Sequence, residues 1–194
     1  ITGGEPFLYP DLFELINLIK LHTSVRIINI TTNGFLTNKI EDFIKLCFNN
    51  NIQLNLNISL DAYKTKHDEM RGFPGAFELV QKTCEKLMTN KSKLLNVNIE
   101  QTITQININE IENIKAVAEK YKFTHIIAIA SDDRPLWQNQ SNVTLNKPLD
   151  YNFISYNSIK SWEKENIIKL FDTIEKYNFK IAPIKLLFNN GLLT

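Results

Sequence analysis

The stretch IQLNLNISL, residues 52–60, alternates apolar and polar side chains without a break. Period-two alternation indicates a β-strand whose two faces meet different surroundings. The polar face of this strand carries Gln53, Asn55, Asn57 and Ser59, with Asp61 next in the same phase. The segment LLNVNIEQTI, residues 94–103, repeats the pattern and carries Asn98, Glu100 and Thr102 in its polar phase. Two neighbouring strands with a persistently polar face predict a shared polar surface inside the fold.

Strand and helix patterns alternate on both sides of these two segments. Short β-branched runs predict further strands at 25–32 and 124–130. Apolar residues spaced three and four apart predict helices at 10–22, 38–50, 75–89, 109–121 and 159–178. Asn109 and Glu112 form an approximate capping pair at the start of the fourth helix. Repeated β-α units of this kind predict an α/β fold with a parallel sheet.

The polar face argues against two common architectures with parallel sheets. A strand in a doubly wound sheet has helices on both sides and is apolar on both faces, and a small closed barrel fills its centre with branched apolar side chains. Neither arrangement accommodates a polar face. We therefore predict an open or widened barrel, with helices over the apolar face and a polar ligand in the lumen. The same phase directs Asn29, Thr31 and Asn33 inward.

Composition excludes several other classes of protein. The net charge of the 194 residues is +1, from interspersed acidic and basic side chains, so charge does not indicate a nucleic-acid partner. Apolar runs fall short of the ~18 residues of a membrane span. Cys47 and Cys84 lie on the apolar faces of predicted helices, which favours a core position for both. Two cysteines are too few for a disulfide scaffold and favour a reducing compartment, here the cytoplasm.

Five of the six glycines follow the carboxyl ends of three successive predicted strands, namely the strand-like start of the chain and the strands at 25–32 and 52–60. This is the edge where β/α folds bind their ligands. These are Gly3, Gly4, Gly34, Gly72 and Gly75. A glycine lets the backbone approach a ligand closely or adopt positive φ. A single glycine here also fits an ordinary turn, but three loops in register predict a ligand site at this edge.

Three motifs in order, GGEP (3–6), TTNG (31–34) and ISLDAYKTKHDEMRGFPGAF (58–77), resemble the core of the radical S-adenosylmethionine (radical SAM) enzymes. The resemblance covers about residues 1–130 and is greatest to the branch with a C-terminal SPASM-type auxiliary-cluster domain, which often modifies peptides. It implies a partial (β/α)6 TIM-like barrel with parallel strands, truncated at the N-terminus because the first β-α unit is missing. Residues 1–186 would form this barrel domain, and 187–194 an exit segment toward a further C-terminal region.

The resemblance also implies roles for individual residues. The backbone around Gly3, Gly4 and Glu5 would receive the ammonium of the methionine moiety. The other implied contacts are hydroxyls from Thr31 and Ser59, a ribose contact from Asp61, and a carboxylate partner in Arg71. No catalytic residue and no metal ligand is assigned within the chain.

Three alternatives for these residues stay open. Ser59 and Asp61 also suit capping of the following turn, and Arg71 also suits a surface ion pair with Asp68. His67 suits ordering of the loop better than proton transfer.

The implied chemistry is reductive cleavage of S-adenosylmethionine by a [4Fe–4S] cluster, held by a C-x3-C-x2-C motif expected upstream of Ile1. The resulting 5′-deoxyadenosyl radical abstracts hydrogen from a substrate, for which a peptide or protein is expected. An electron donor for the cluster is the other implied partner; neither nucleic acid nor a membrane is. Two alternatives are a noncatalytic homologue that binds a ligand or peptide, and an unrelated β/α-barrel lyase or isomerase.

Overall fold

A computed structural model of the chain describes residues 1, 3–90, 92–130 and 159–177. The expected boundary at residue 186 and the exit segment 187–194 lie outside the described residues. Four strands form one sheet in the order β1 (Ile27–Thr32), β2 (Gln53–Ser59), β3 (Leu95–Ile103) and β4 (Thr124–Ile129). Every neighbouring pair is parallel. The predicted α/β class, with the parallel strands of a partial TIM-like barrel, is therefore confirmed.

Helices follow the strands as the apolar spacing predicts. They are α1 (Leu12–His22), α2 (Thr37–Asn49), α3 (Thr65–Arg71), α4 (Ala76–Leu87), α5 (Ile111–Tyr121) and α6 (Lys164–Tyr177). The short helix α3 was not predicted, because its seven residues carry too few apolar positions to show a period.

The predicted capping pair of the fourth helix is wrong. A 3-10 turn, Ile108–Glu110, precedes α5, and no side chain caps either element. Asn109 instead accepts a hydrogen bond from Lys169, and Glu112 accepts one from Lys176 at 3.0 Å. Both side chains are drawn to α6, a helix far away in the sequence, so local spacing alone does not reveal their partners.

The apolar face of the sheet packs under the helices. Leu54, Leu56 and Ile58 of β2 are each 0% exposed and share one core cluster with side chains of α2 and α4. Cys47 and Cys84 belong to the same cluster, so their predicted core positions are confirmed. Each fully buried aliphatic side chain stabilises the fold by about 1.5–3 kcal/mol, so the burial of this strand face contributes substantially to stability.

The opposite face of the sheet is polar, and its amides pair across the strands. The register places Asn29 opposite Asn55 and Asn57 opposite Asn98. Asn55 Nδ2 donates to Asn29 Oδ1 at 2.7 Å, and Asn98 Nδ2 donates to Asn57 Oδ1 at 2.8 Å. These two bonds show that the polar positions predicted from three separate strands share one face.

Candidate functional site

Ile1, which shortly precedes Gly3 and Gly4 in the sequence, lies alongside β1. The amino group of Ile1 donates a hydrogen bond to Asn29 O at 2.6 Å, and Thr31 N donates one to Ile1 O at 3.2 Å. Gly3 and Gly4 therefore reach the carboxyl edge of the sheet beside the tip of β1. A Cβ placed on Gly4, where φ is +57°, would meet nothing within 4 Å. The backbone here borders open space that a ligand can approach closely.

The Glu5 carboxylate fastens this glycine loop to β1. Its Oε1 accepts from Thr32 Oγ1 at 2.8 Å, and its Oε2 accepts from Asn33 N at 2.7 Å. Both oxygens thus have partners within the chain, and the backbone at Gly3 and Gly4 is the part of the loop that borders open space. Thr32 was not singled out from the sequence, yet it is 2% exposed and also accepts from Gly34 N at 3.1 Å.

A cavity of about 530 Å³ opens beyond the tips of β2 and β3. This volume falls within the usual range for small-molecule sites. Ser59, Asp61 and Arg71 all line it, together with the apolar side chains of Met70 and Ile106. The structure therefore brings three of the predicted site residues together. The other four, Gly3, Gly4, Glu5 and Thr31, lie outside this lining, toward the tip of β1.

Asp61 and Arg71 form an ion pair in the cavity wall. Arg71 Nη2 lies 2.6 Å from Asp61 Oδ2, and Thr102 N donates to Asp61 Oδ1 at 3.0 Å. Burial raises the pKa of the Asp61 carboxyl, while the Arg71 charge and the Thr102 N–H act in the opposite direction. The cavity therefore presents a fixed carboxyl group beside a guanidinium that retains further N–H donors.

The alternative pairing of Arg71 with Asp68 is wrong. Asp68 accepts hydrogen bonds from Gly75 N at 2.7 Å and from Phe77 N at 2.8 Å. These two backbone donors lower the pKa of the Asp68 carboxyl. Asp68 thus stabilises the turn between α3 and α4, and Arg71 instead pairs with Asp61 in the cavity wall.

His67 is fully buried beneath Asp61. Its Nδ1 accepts a hydrogen bond from Asp61 N at 3.2 Å, so the neutral ring carries its proton on Nε2. Burial, assisted by the Arg71 charge, lowers the pKa of His67 to about 4. Nε2 has no hydrogen-bond partner in the described part of the chain. This geometry agrees with the expectation that His67 orders the loop.

The low pKa of His67 makes stability depend on pH. Between its folded value of about 4 and its ordinary value of 6.5, the unfolded chain binds a proton that the folded chain does not. Stability therefore falls as the pH falls through this range, by up to about 3 kcal/mol. His67→Asn keeps an acceptor near the position of Nδ1 but cannot titrate, so it should flatten the dependence.

Urea unfolding between about pH 7 and pH 4 tests this prediction. Burial also lowers the pKa of His125 to about 4, so His125 contributes separately to the pH dependence of stability. The slope of unfolding free energy against pH should therefore decrease in the His67→Asn protein without vanishing. His22→Asn, on the exposed surface of α1, is the matched control. Identical pH slopes for the wild type and His67→Asn would contradict the assignment.

Two buried amides that were not singled out as site residues hold the backbone of Asp61. Gln101 Nε2 donates to Asp61 O at 3.0 Å, and Asn107 Nδ2 donates to the same oxygen at 2.7 Å. Both side chains are 0% exposed. The sequence did hold a signal for Gln101, because it occupies an apolar phase position between Ile99 and Ile103 of β3. Asn107 follows the strand and has no comparable signal.

The described residues do not fit an iron–sulfur cluster. Cys47 and Cys84 lie on separate helices, and burial raises the pKa of each thiol to about 12. Thiolates are the cluster ligands, and these two thiols stay protonated. Among the described residues no group of three or more His, Cys, Asp or Glu side chains is arranged to hold a metal ion.

Comparison with known proteins decides the family. The profile of the radical SAM superfamily matches residues 1–118, more than half of the chain. The chain belongs to the radical SAM superfamily. The predicted family is thereby confirmed, and the alternative of an unrelated barrel lyase or isomerase is wrong. Radical SAM proteins are enzymes that use S-adenosylmethionine and a [4Fe–4S] cluster.

The radical SAM relatives of this chain include two kinds of enzyme, GTP 3′,8-cyclases and an AdoMet-dependent heme synthase. A GTP 3′,8-cyclase of Lactiplantibacillus plantarum is 28% identical over 198 aligned residues, covering 96% of this chain and 48% of the cyclase. An AdoMet-dependent heme synthase of Methanosarcina barkeri is 25% identical, covering 93% of this chain and 49% of the synthase. A GTP 3′,8-cyclase of Campylobacter jejuni is 35% identical over 118 residues, 59% of this chain and 33% of the cyclase. The chain thus spans about half the length of the first two relatives.

Within the described ranges, none of the helices combines the length and apolar character needed to cross a bilayer.

Proposed function

We propose that this chain is the S-adenosylmethionine-binding part of a radical SAM enzyme. The ligand would lie along the carboxyl edge of the sheet, from the glycine loop at β1 to the cavity beyond β2 and β3. The observation that carries the proposal is the convergence of Ser59, Asp61 and Arg71 on one cavity of about 530 Å³. A cytoplasmic location agrees with the two free, buried cysteines.

Each part of the ligand has a complementary group along this edge. The ammonium would meet backbone carbonyls at Gly3 and Gly4, since the Glu5 carboxylate already has partners. Ribose hydroxyls would donate to the lone pairs that Asp61 keeps beyond its bonds to Arg71 and Thr102. The ligand carboxylate would accept hydrogen bonds from the remaining N–H groups of Arg71, and the hydroxyls of Thr31 and Ser59 would contact the polar ends of the same ligand. This chain thereby binds and orients the ligand.

A [4Fe–4S] cluster would supply the electron for reductive cleavage of the ligand to methionine and a 5′-deoxyadenosyl radical. Because Cys47 and Cys84 do not fit it, we propose that its ligands are the C-x3-C-x2-C cysteines expected outside this sequence. An external electron donor is part of the same proposal.

The substrate would meet the polar face of the sheet, where Glu100 differs from its neighbours. Asn57 and Asn98 share a hydrogen bond, whereas Glu100 Oε2 is buried with no hydrogen-bond partner among the described residues. A buried carboxylate oxygen without a donor is costly, and a substrate N–H or O–H would remove that cost. We therefore propose a substrate that donates hydrogen bonds to Glu100. A peptide meets this condition, although the relatives are named for GTP and heme.

The complete gene product, purified without oxygen, reconstituted with iron and sulfide and reduced with dithionite, tests the proposal. We expect it to bind S-adenosylmethionine and to form 5′-deoxyadenosine and methionine. Asp61→Asn should raise the Kd for S-adenosylmethionine by about tenfold or more, because it removes a charged acceptor. Asp42→Asn, an exposed change on α2, is the matched control and should leave the Kd unchanged.

The possible outcomes separate the rival functions. Absence of S-adenosylmethionine binding would overturn the proposal. Binding without cleavage by a protein that has its cluster would favour the noncatalytic homologue. A Kd unchanged by Asp61→Asn would remove Asp61 from the site.

A further inference from the structure

We infer that Asn107 is a positioning residue, which holds Asp61 in the orientation that receives the ligand. The inference rests on the proposed function, because it takes Asp61 to contact S-adenosylmethionine. It concerns a residue outside the three motifs that carry the family resemblance.

Every backbone hydrogen-bonding group of Asp61 has a buried side-chain partner. Its N–H donates to His67 Nδ1 at 3.2 Å. Its carbonyl oxygen accepts from Asn107 Nδ2 at 2.7 Å and from Gln101 Nε2 at 3.0 Å. A carbonyl oxygen has two lone pairs, so these two amides saturate it. The peptide groups on both sides of Asp61 are therefore fixed before any ligand arrives.

Asn107 uses its full hydrogen-bonding capacity in this arrangement. Its Nδ2 also donates to Thr102 O at 2.9 Å, and its Oδ1 accepts from Thr104 N at 2.7 Å and from Thr104 Oγ1 at 3.1 Å. One side chain thus joins the loop after β2 to the end of β3. Thr102 N in turn donates to the Asp61 carboxylate at 3.0 Å, so the same strand end fixes both the backbone and the side chain of Asp61.

This arrangement orients the carboxyl group without contacting the cavity itself. Asn107 is 0% exposed and does not line the cavity, whereas Asp61 and Thr102 do. A binding group that is held in its productive orientation loses less entropy when the ligand binds. Loss of Asn107 should therefore weaken binding only through Asp61, which distinguishes positioning from direct contact.

A double-mutant cycle in the complete gene product tests this inference. We expect Asn107→Ala to raise the Kd for S-adenosylmethionine, measured by equilibrium dialysis, by about tenfold. In the Asp61→Asn background the same change should alter the Kd by no more than roughly twofold, because the residue it positions no longer provides the carboxylate. Asn113→Ala, an exposed change on α5, should leave the Kd unchanged in both backgrounds.

Equal effects of Asn107→Ala in the two backgrounds would overturn the inference, and so would an unchanged Kd in the presence of Asp61. Asn107→Asp, which keeps the acceptor for Thr104 N but removes the Nδ2 donor to Asp61 O, replaces Asn107→Ala in the cycle should that protein fail to fold. Hydrogen exchange at the Ala62 amide, which belongs to the peptide group whose carbonyl oxygen Asn107 holds, adds a readout without ligand. It should accelerate in Asn107→Ala, and unchanged exchange would contradict the inference. A wild type that does not bind S-adenosylmethionine would instead defeat the proposed function.

Discussion

Leu56→Asp is expected to abolish folding, whereas Asn57→Ala, one position further along, should leave the fold intact. Leu56 is 0% exposed in the main core cluster, so the substitution buries an unpaired carboxylate and removes apolar packing. We expect it to cost more than about 4 kcal/mol, a large part of the stability of a domain this size. Asn57→Ala breaks only the bond with Asn98, which is worth about 1 kcal/mol.

Thermal unfolding followed by circular dichroism checks this pair. Leu56→Asp should show no cooperative transition, and Asn57→Ala should melt within several degrees of the wild type. The opposite order of stabilities would refute the assignment of the two sheet faces.

Gly4→Val is expected to abolish binding of S-adenosylmethionine, a loss of more than about 100-fold in affinity, with a smaller effect on folding. A side chain at Gly4 meets nothing within 4 Å, so it would occupy the space proposed for the ligand. The cost to folding comes from φ of +57°, which disfavours a side chain by about 1–2 kcal/mol.

Gly34→Ala is the matched comparison, because its effects should be reversed. A Cβ at Gly34 would lie 2.9 Å from Ile58 Cγ2, at a φ of +77°. Since Ile58 is buried and cannot withdraw, we expect a loss of stability of about 2–3 kcal/mol and little direct effect on ligand affinity. Equilibrium dialysis and thermal unfolding on both variants separate the two roles. A Gly4→Val protein that binds S-adenosylmethionine as the wild type does would remove the glycine loop from the site.

The sequence predicted the sheet well because alternation is a local property. The apolar phase of 52–60 placed Leu54, Leu56 and Ile58 against the helices, as found. It also placed Asn55 and Asn57 on the face where they now pair with Asn29 and Asn98. Once one face of a strand is buried, a shift by one residue would exchange its apolar and polar side chains. The sequence of the strand alone therefore predicts which residues face the core.

Side-chain partners were much less predictable, because they depend on how distant segments meet. The pairing of Asp61 with Arg71 was missed, and both were assigned to a ligand separately. Asn107 reaches Asp61 across 46 positions of the chain, and no local pattern marks that contact. Gln101 was visible as a polar residue in an apolar phase, yet only the register of β3 reveals which group it satisfies.

The amide pairs on the polar face have a consequence for how this scaffold changes during evolution. Rotating a terminal amide by half a turn exchanges its donor and its acceptor without altering charge, volume or backbone position. Asn29 with Asn55, and Asn57 with Asn98, can therefore present either hydrogen-bonding pattern to a molecule in the lumen. A wall of aspartates or lysines would commit the barrel to one sign of charge. A wall of asparagines lets descendants of one scaffold acquire chemically different substrates while the residues that hold the sheet together stay the same.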